Sequence, residues 1–237
     1  MSERELSIVT GASRGIGKAI VLTLAKQNHN LIIFGRDEKA LTEVSAEIQN
    51  IGSECRFYTG DVRDDSFVNK SVESIVNNYG RIDNLINNAG FGIFKKFIDS
   101  NLKEFKDQVD VNLFGVYNFS KAVVPHMIKK QKGNIINISS LAGKNSFVGG
   151  TMYSSSKFAL MGFTRSLMLE LREYFIRVVL ICPGTVDTNF FSGSGHSYPD
   201  SDKVLRSEDI ADTVLAVIKL PVRAMISEID IRPTKPK

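Results

Sequence analysis

Seven short apolar runs, rich in β-branched residues and separated by stretches of helical periodicity, constrain this chain more than any other feature. They are LSIVT (6–10), NLIIFG (30–35), CRFYTG (55–60), DNLINN (83–88), GNIINIS (133–139), RVVLICP (177–183) and AMISEIDI (224–231). Helical patterns lie between them, over about 15–28, 37–51, 66–79, 101–130, 152–175 and 207–219. Strands apolar on nearly every residue must be covered on both faces, and strand–helix alternation makes them parallel. Right-handed crossovers then predict an α/β, doubly wound (Rossmann-type) sheet of about seven strands. Ligands of such sheets lie beyond the carboxyl ends of the strands, so chemistry is expected in the residues that follow each run.

The chain has 237 residues, 43% of them hydrophobic, enough for one large α/β domain over 1–237. The net charge of +4 is thinly spread. Its densest basic runs, 129–132 and 235–237, read as a helix end and a tail, so no nucleic-acid partner is expected. Cys55 and Cys182 each sit inside an apolar run and form no paired-cysteine motif, which suits a reducing compartment. With neither a signal-peptide core nor a membrane-length apolar run, a cytoplasmic location away from membranes is expected.

The first run leads into TGASRGIG, with glycines at 11, 15 and 17. Gly11 permits a tight turn, and Gly15 and Gly17 are expected to let a pyrophosphate approach backbone N–H groups at a helix start. Ser13, Arg14 and Ile16 complete this turn as cofactor candidates. The second run ends in Gly35-Arg36, where NAD-binding folds present a carboxylate to the ribose. Asp37 reads instead as the cap of the next helix. Arg36 and Arg14 can pair with a 2′-phosphate, so NADP(H) is favoured over NAD(H). Asp61 and Val62 follow the third run at a position suited to an adenine edge, and Asn88, Ala89 and Gly90 follow the fourth.

Ser139 and Ser140 end the fifth run, and Tyr153, in MYSSSKFAL (152–160), follows Ser140 by thirteen residues. Tyr153 and Lys157 are four apart, so on a helix they share a face with Cβ atoms roughly 5–6 Å apart. An ammonium at ~5 Å favours the phenolate by roughly 3 kcal/mol. The expectation is a tyrosine pKa lowered from about 10 towards about 8.

Together with NNAG (87–90) and PGTVDT (183–188), these motifs resemble the short-chain dehydrogenase/reductase family in its single-domain form, over about Leu6 to Thr188. The resemblance implies hydride transfer between NADP(H) and a carbonyl or secondary alcohol. It assigns Tyr153 as general acid or base and Ser140 as the hydrogen-bond partner of the substrate oxygen. Lys157 would tune the tyrosine and hold the nicotinamide ribose, and Asn112 in DVNLFG would support a proton-relay water. Pro183, Gly184, Val186 and Thr188 would line the nicotinamide end.

The segment 189–206, rich in glycine and serine, reads as a substrate lid, with Phe190, Phe191 and Tyr198 as apolar contacts and His196 as a solvated loop histidine. The ending lacks the glycine pair usual in 3-oxoacyl-carrier-protein reductases, so small ketones or 3-hydroxy acids are the expected substrates. The alternatives are a 3-oxoacyl thioester reductase served by a carrier protein and a catalytically silent dinucleotide-sensing regulator. Helix 152–175 is apolar on more than one face, which points to a homodimer or homotetramer through it and helix 101–130. No metal is expected.

Overall fold

A computed structural model describes residues 4–188 and 203–235. All seven strands pair in parallel, in the order β3-β2-β1-β4-β5-β6-β7. They are β1 (Leu6–Thr10), β2 (Asn30–Gly35), β3 (Cys55–Thr59), β4 (Asn84–Asn87), β5 (Gly133–Ile138), β6 (Ile176–Pro183) and β7 (Glu228–Ile231). The helices are α1 (Gly15–Ala25), α2 (Glu38–Asn50), α3 (Asp65–Tyr79), α4 (Leu102–Val109), α5 (Gly115–Lys130), α6 (Thr151–Leu171) and α7 (Ser207–Ile218).

Alternate residues of each central strand feed two separate cores, which is why the runs are apolar throughout. Val9, Ile33, Ile86, Ile136 and Val179 face α1, α2 and α7 through Ile20, Leu41 and Val214. Their neighbours Ile8, Ile32, Leu85, Ile135 and Val178 face α3 and α5 through Val72, Phe119 and Val123. The strand order reverses at β1, whose neighbours are β2 and β4, so the crevice for a ligand opens at the ends of β1 and β4.

Two helical expectations need correction. The 101–130 segment is not continuous. A capping box of Asn101 and Glu104 starts α4, and the wider π turn Asp110–Phe114 separates it from α5. That inserted residue changes the register of the helix at Asn112, in a geometry common at functional sites. The 152–175 pattern ends as a helix at Leu171 and closes with a short 3-10 turn, Arg172–Tyr174. β7 is also shorter than the apolar run 224–231, because Ala224 is held in a turn by the Pro221 carbonyl.

A buried polar chain crosses the opposite, amino-terminal edge of the sheet. His29 Nδ1 and Ser7 Oγ lie 2.9 Å apart, and the Asn84 amide donates to Ser7 Oγ at 3.0 Å. The Asn134 amide donates to Asn84 at 2.6 Å, and Arg177 donates to Asn134 at 2.6 Å. Arg177 also donates to the carbonyls of Ile218, Leu220 and Ala224. Partnered in this way, polar side chains can tie four strands and the end of α7 without an unsatisfied interior group at each step.

Candidate active site

The glycine turn and the β4 end form one unit. The Thr10 hydroxyl accepts from the backbone N–H groups of Asn88 and Ala89, both at 3.0 Å, and the Asn88 amide donates to the carbonyls of Thr10 and Gly11. Gly11 adopts φ +66°, and a Cβ there would stand 2.8 Å from the Ala89 Cα. Gly17 also has a packing reason. Its Cβ would fall 2.2 Å from the Gly11 carbonyl oxygen, so this glycine allows α1 to pack on its own turn. Gly15, at φ +55°, faces Thr188, whose Cγ2 a Cβ would meet at 3.3 Å.

The start of α1 lacks a side-chain cap, whereas α2, α3 and α4 are capped by Asp37, Asp64 and Asn101. Asp37 accepts from the Ala40 N–H at 3.1 Å, which makes it the helix cap its position suggested. A first turn that Arg14 does not cap suits an external acceptor such as a phosphate. Arg14 and Arg36 are exposed near this end of the sheet, while Ser13 and Ile16 are half-buried. Asp61 is bound by Arg63 at 2.7 Å, and this guanidinium holds its carboxyl below the usual range, with Arg36 adding to the effect. The Val62 carbonyl accepts from the Asn118 amide at 3.0 Å, and the Val62 side chain packs where a Cβ of Gly115 would stand.

Asn112 lies in the π turn and is almost wholly buried. Its side chain accepts from the Phe91 N–H at 3.0 Å and donates to the Phe91 carbonyl at 2.9 Å and to Ser156 Oγ at 3.0 Å. Ser156 in turn donates to the Tyr153 carbonyl at 2.7 Å. Asn112 therefore joins the loop after β4 to the helix that carries the tyrosine. One turn earlier Gln108, fully buried, accepts from the Ile93 N–H at 2.9 Å and supports the same loop. A Cβ at Gly90 would meet Asn112 Oδ1 at 3.0 Å and lie 3.7 Å from Lys157 Nζ.

Ser140, Tyr153 and Lys157 come together as expected. The Tyr153 and Ser140 side chains share a hydrogen bond, and Ser140 Oγ also accepts from the Ala142 N–H at 3.1 Å. Ser139 does not join them, and its buried Oγ has no hydrogen-bond partner among the described residues. Lys157 Nζ donates to the Ile138 carbonyl at 3.2 Å and stands 5.8 Å from the centroid of the Tyr153 ring. The expected charge effect is therefore corrected. Burial pushes the Tyr153 hydroxyl up to about 12, and the Ser140 hydrogen bond offsets only part of this. Burial also brings Lys157 down to about 8. The ammonium stands 5.8 Å from the ring centroid, and burial rather than the charge sets the direction of both shifts.

The last candidates lie on β6 and beyond. The Gly184 N–H donates to the Ile231 carbonyl at 2.8 Å, next to the Pro183–Ile231 strand pair. Val186 bridges Leu205, joining the chain before position 189 to the chain after 202. Phe190, Phe191, His196 and Tyr198 lie outside the described residues, as does most of the 189–206 segment.

Two groups near the site were missed in the sequence. Phe94 sets its ring against Tyr153 at 5.1 Å between centroids, and Phe147 lies 5.9 Å from Phe94. Lys144 pairs with both Glu228 and Asp230 of β7, and Arg165 of α6 pairs with Glu228 at 3.0 Å. Those two carboxylates and Cys182 have the spacing of a metal-ligand group, but Lys144 already supplies their positive counter-charge. Pairs and rings that join distant loops carry no local sequence signal.

A model of the short chain dehydrogenase family matches residues 5–198. The chain is 37% identical over 216 residues to a 3-ketodihydrosphingosine reductase of Bacteroides thetaiotaomicron, covering 91% of this chain and 75% of that one. Among solved structures, an alcohol dehydrogenase of the archaeon Thermococcus sibiricus complexed with 5-hydroxy-NADP superimposes with a TM-score of 0.91 at 29% identity, covering 99% and 100% of the two chains. An NAD+-bound xylitol dehydrogenase gives 0.88 at 27%, covering 97% and 98%. Because the matched span runs unbroken from β1 through the tyrosine helix and past β6, the chain belongs to the short-chain dehydrogenase/reductase family of oxidoreductases.

Proposed function

We propose that this protein is an NADP(H)-dependent reductase of carbonyl compounds, with small ketones or the 3-hydroxy acid/3-oxo acid pair as substrates. The observation that carries this reading is the hydrogen-bonded Ser140–Tyr153 pair, set over a buried lysine at the mouth of an uncapped glycine turn. The Bacteroides relative is named as a reductase of a 3-keto compound, which is the same bond change.

The residues present fit a nicotinamide dinucleotide. The uncapped first turn of α1 suits the pyrophosphate, with Gly15 and Thr188 beside it. Lys157 has three N–H donors and uses one on Ile138, leaving two for ribose hydroxyls on the side where Gly90 presents no Cβ. Exposed Arg14 and Arg36, with no carboxylate closing β2, favour the 2′-phosphorylated form. The Thermococcus neighbour, complexed with 5-hydroxy-NADP, supports the same choice.

When bound, the reduced coenzyme supplies a hydride to the carbonyl carbon as the C=O π bond opens. Ser140 holds the carbonyl oxygen, and Tyr153 gives that oxygen its proton, completing the alcohol. A tyrosine that begins fully protonated suits this direction, because its proton leaves only when negative charge develops on the substrate oxygen. Lys157 supplies fixed positive charge beneath the ring as the phenolate forms. Asn112 keeps the loop after β4 and the tyrosine helix in fixed relation. In the reverse direction the tyrosine is the base.

The same reading includes a homodimer or homotetramer. Phe114 and Tyr117 near the start of α5, and Phe158 and Leu169 on α6, are 40–64% exposed and provide an apolar face for a second copy. Purified protein oxidising NADPH in the presence of simple ketones or acetoacetate tests the assignment. Silence towards all of them, with NADPH bound, would overturn it.

A further inference from the structure

The site continues outward as an apolar lane that ends on the surface. Tyr153 meets Phe94, and Phe94 meets Phe147, through ring contacts of 5.1 and 5.9 Å. Phe147 is 43% exposed, and its neighbour Val148 is 88% exposed. On the facing loop, three and four residues after Phe94, Phe97 and Ile98 are 72% and 85% exposed. Chains that remain in water rarely group large apolar side chains in this way without a use for them.

The lane is held in place by the fold. The Lys95 N–H donates to the Gly149 carbonyl at 3.0 Å, clamping the two loops together. Lys95 Nζ is paired with Glu104 at 2.6 Å, which anchors the first loop to α4. Beneath Phe147, Gly150 leaves the ring its seat, since a Cβ there would stand 2.6 Å from the ring. Rigid aromatic side chains on clamped loops bind an apolar ligand without first having to be ordered.

We infer that this lane binds the apolar arm of the carbonyl substrate, an unbranched alkyl or alkyl-aryl chain attached to the ketone carbon. The inference rests on the reductase reading above. It assigns Phe94 and Phe147 to the part of the arm next to the carbonyl, and Val148, Phe97 and Ile98 to its distal carbons. The occupant follows from continuity with the tyrosine: a chain whose carbonyl sits at Ser140 and Tyr153 would pass Phe94, which touches the tyrosine ring, and then Phe147.

A series of methyl ketones from 2-butanone to 2-undecanone, with NADPH, tests this. A buried methylene contributes up to about fourfold in binding, so kcat/KM is expected to climb two- to fourfold per added carbon before levelling off. In Val148→Ser and Ile98→Ser, both at exposed positions, the ratio of undecanone to butanone rates should fall at least fivefold. Turnover of all ketones with no dependence on chain length would overturn the inference and leave the reductase reading intact. No turnover of any ketone would overturn both. Self-association or vesicle binding abolished by Val148→Ser, with a flat chain-length profile, would assign the patch to a second copy or a lipid surface instead.

Discussion

The Lys157 ammonium lies 5.8 Å from the centre of the Tyr153 ring and donates to the Ile138 carbonyl. In the chain by itself the tyrosine keeps its proton, and burial acts on both groups in the direction of neutrality.

Replacing Tyr153 with Phe removes one oxygen and retains the ring that Phe94 contacts. Turnover of ketones should fall by about 10²–10⁴-fold, the usual contribution of a positioned proton donor. NADPH affinity, read by fluorescence titration, should change less than threefold. Retained activity would contradict the role given to the hydroxyl.

Lys157 is buried as a cation with a pKa brought down to about 8, so its charge costs the folded state on the order of 3 kcal/mol below that pH. The unfolded chain binds this proton more tightly, so the penalty shrinks as pH rises from about 8 towards about 10.4. Lys157→Met should therefore raise the melting temperature at pH 7 while reducing kcat. A melting temperature that falls instead would show that the ammonium stabilises the fold.

Arg36→Asp should weaken NADPH binding at least tenfold and leave NADH binding within about threefold, since a guanidinium on a phosphate contributes a charge-assisted pair that NADH does not use. Equal losses for both coenzymes would remove the basis for preferring the phosphorylated form.

His29 is buried beside Ser7, and desolvation lowers its pKa; Glu5 and Asp83 oppose that shift and Lys219 adds to it. The native state favours the neutral ring, so protonation favours unfolding once pH drops below about 6.5. The melting temperature should decline between pH 7.5 and 5, and His29→Gln should flatten that decline. A histidine contribution of the opposite sign would appear as a steeper acid loss in the variant.

Much of the fold was legible because the two cores demand it. Val9 and Ile8, or Ile33 and Ile32, face opposite helical layers, and only an unbroken apolar run can satisfy both. The Asp37 cap and the positions of Ser140, Tyr153 and Lys157 were equally readable, since capping and helical spacing are local properties. The break at Asn112 was not. A π turn depends on what the extra residue reaches across space, here the Phe91 backbone and Ser156.

By itself the order of residues determined the parallel sheet and the sheet end at which Ser140, Tyr153 and Lys157 come together. Only the tertiary structure decided that Gly17 packs against the Gly11 carbonyl, that Phe94 and Phe147 lead outward from Tyr153, and that the Lys157 ammonium stands 5.8 Å from the ring centre. Periodicity and capping act within a few residues of the chain. Where a charge or a ring finally rests depends on solvent exclusion and on partners brought in from distant loops.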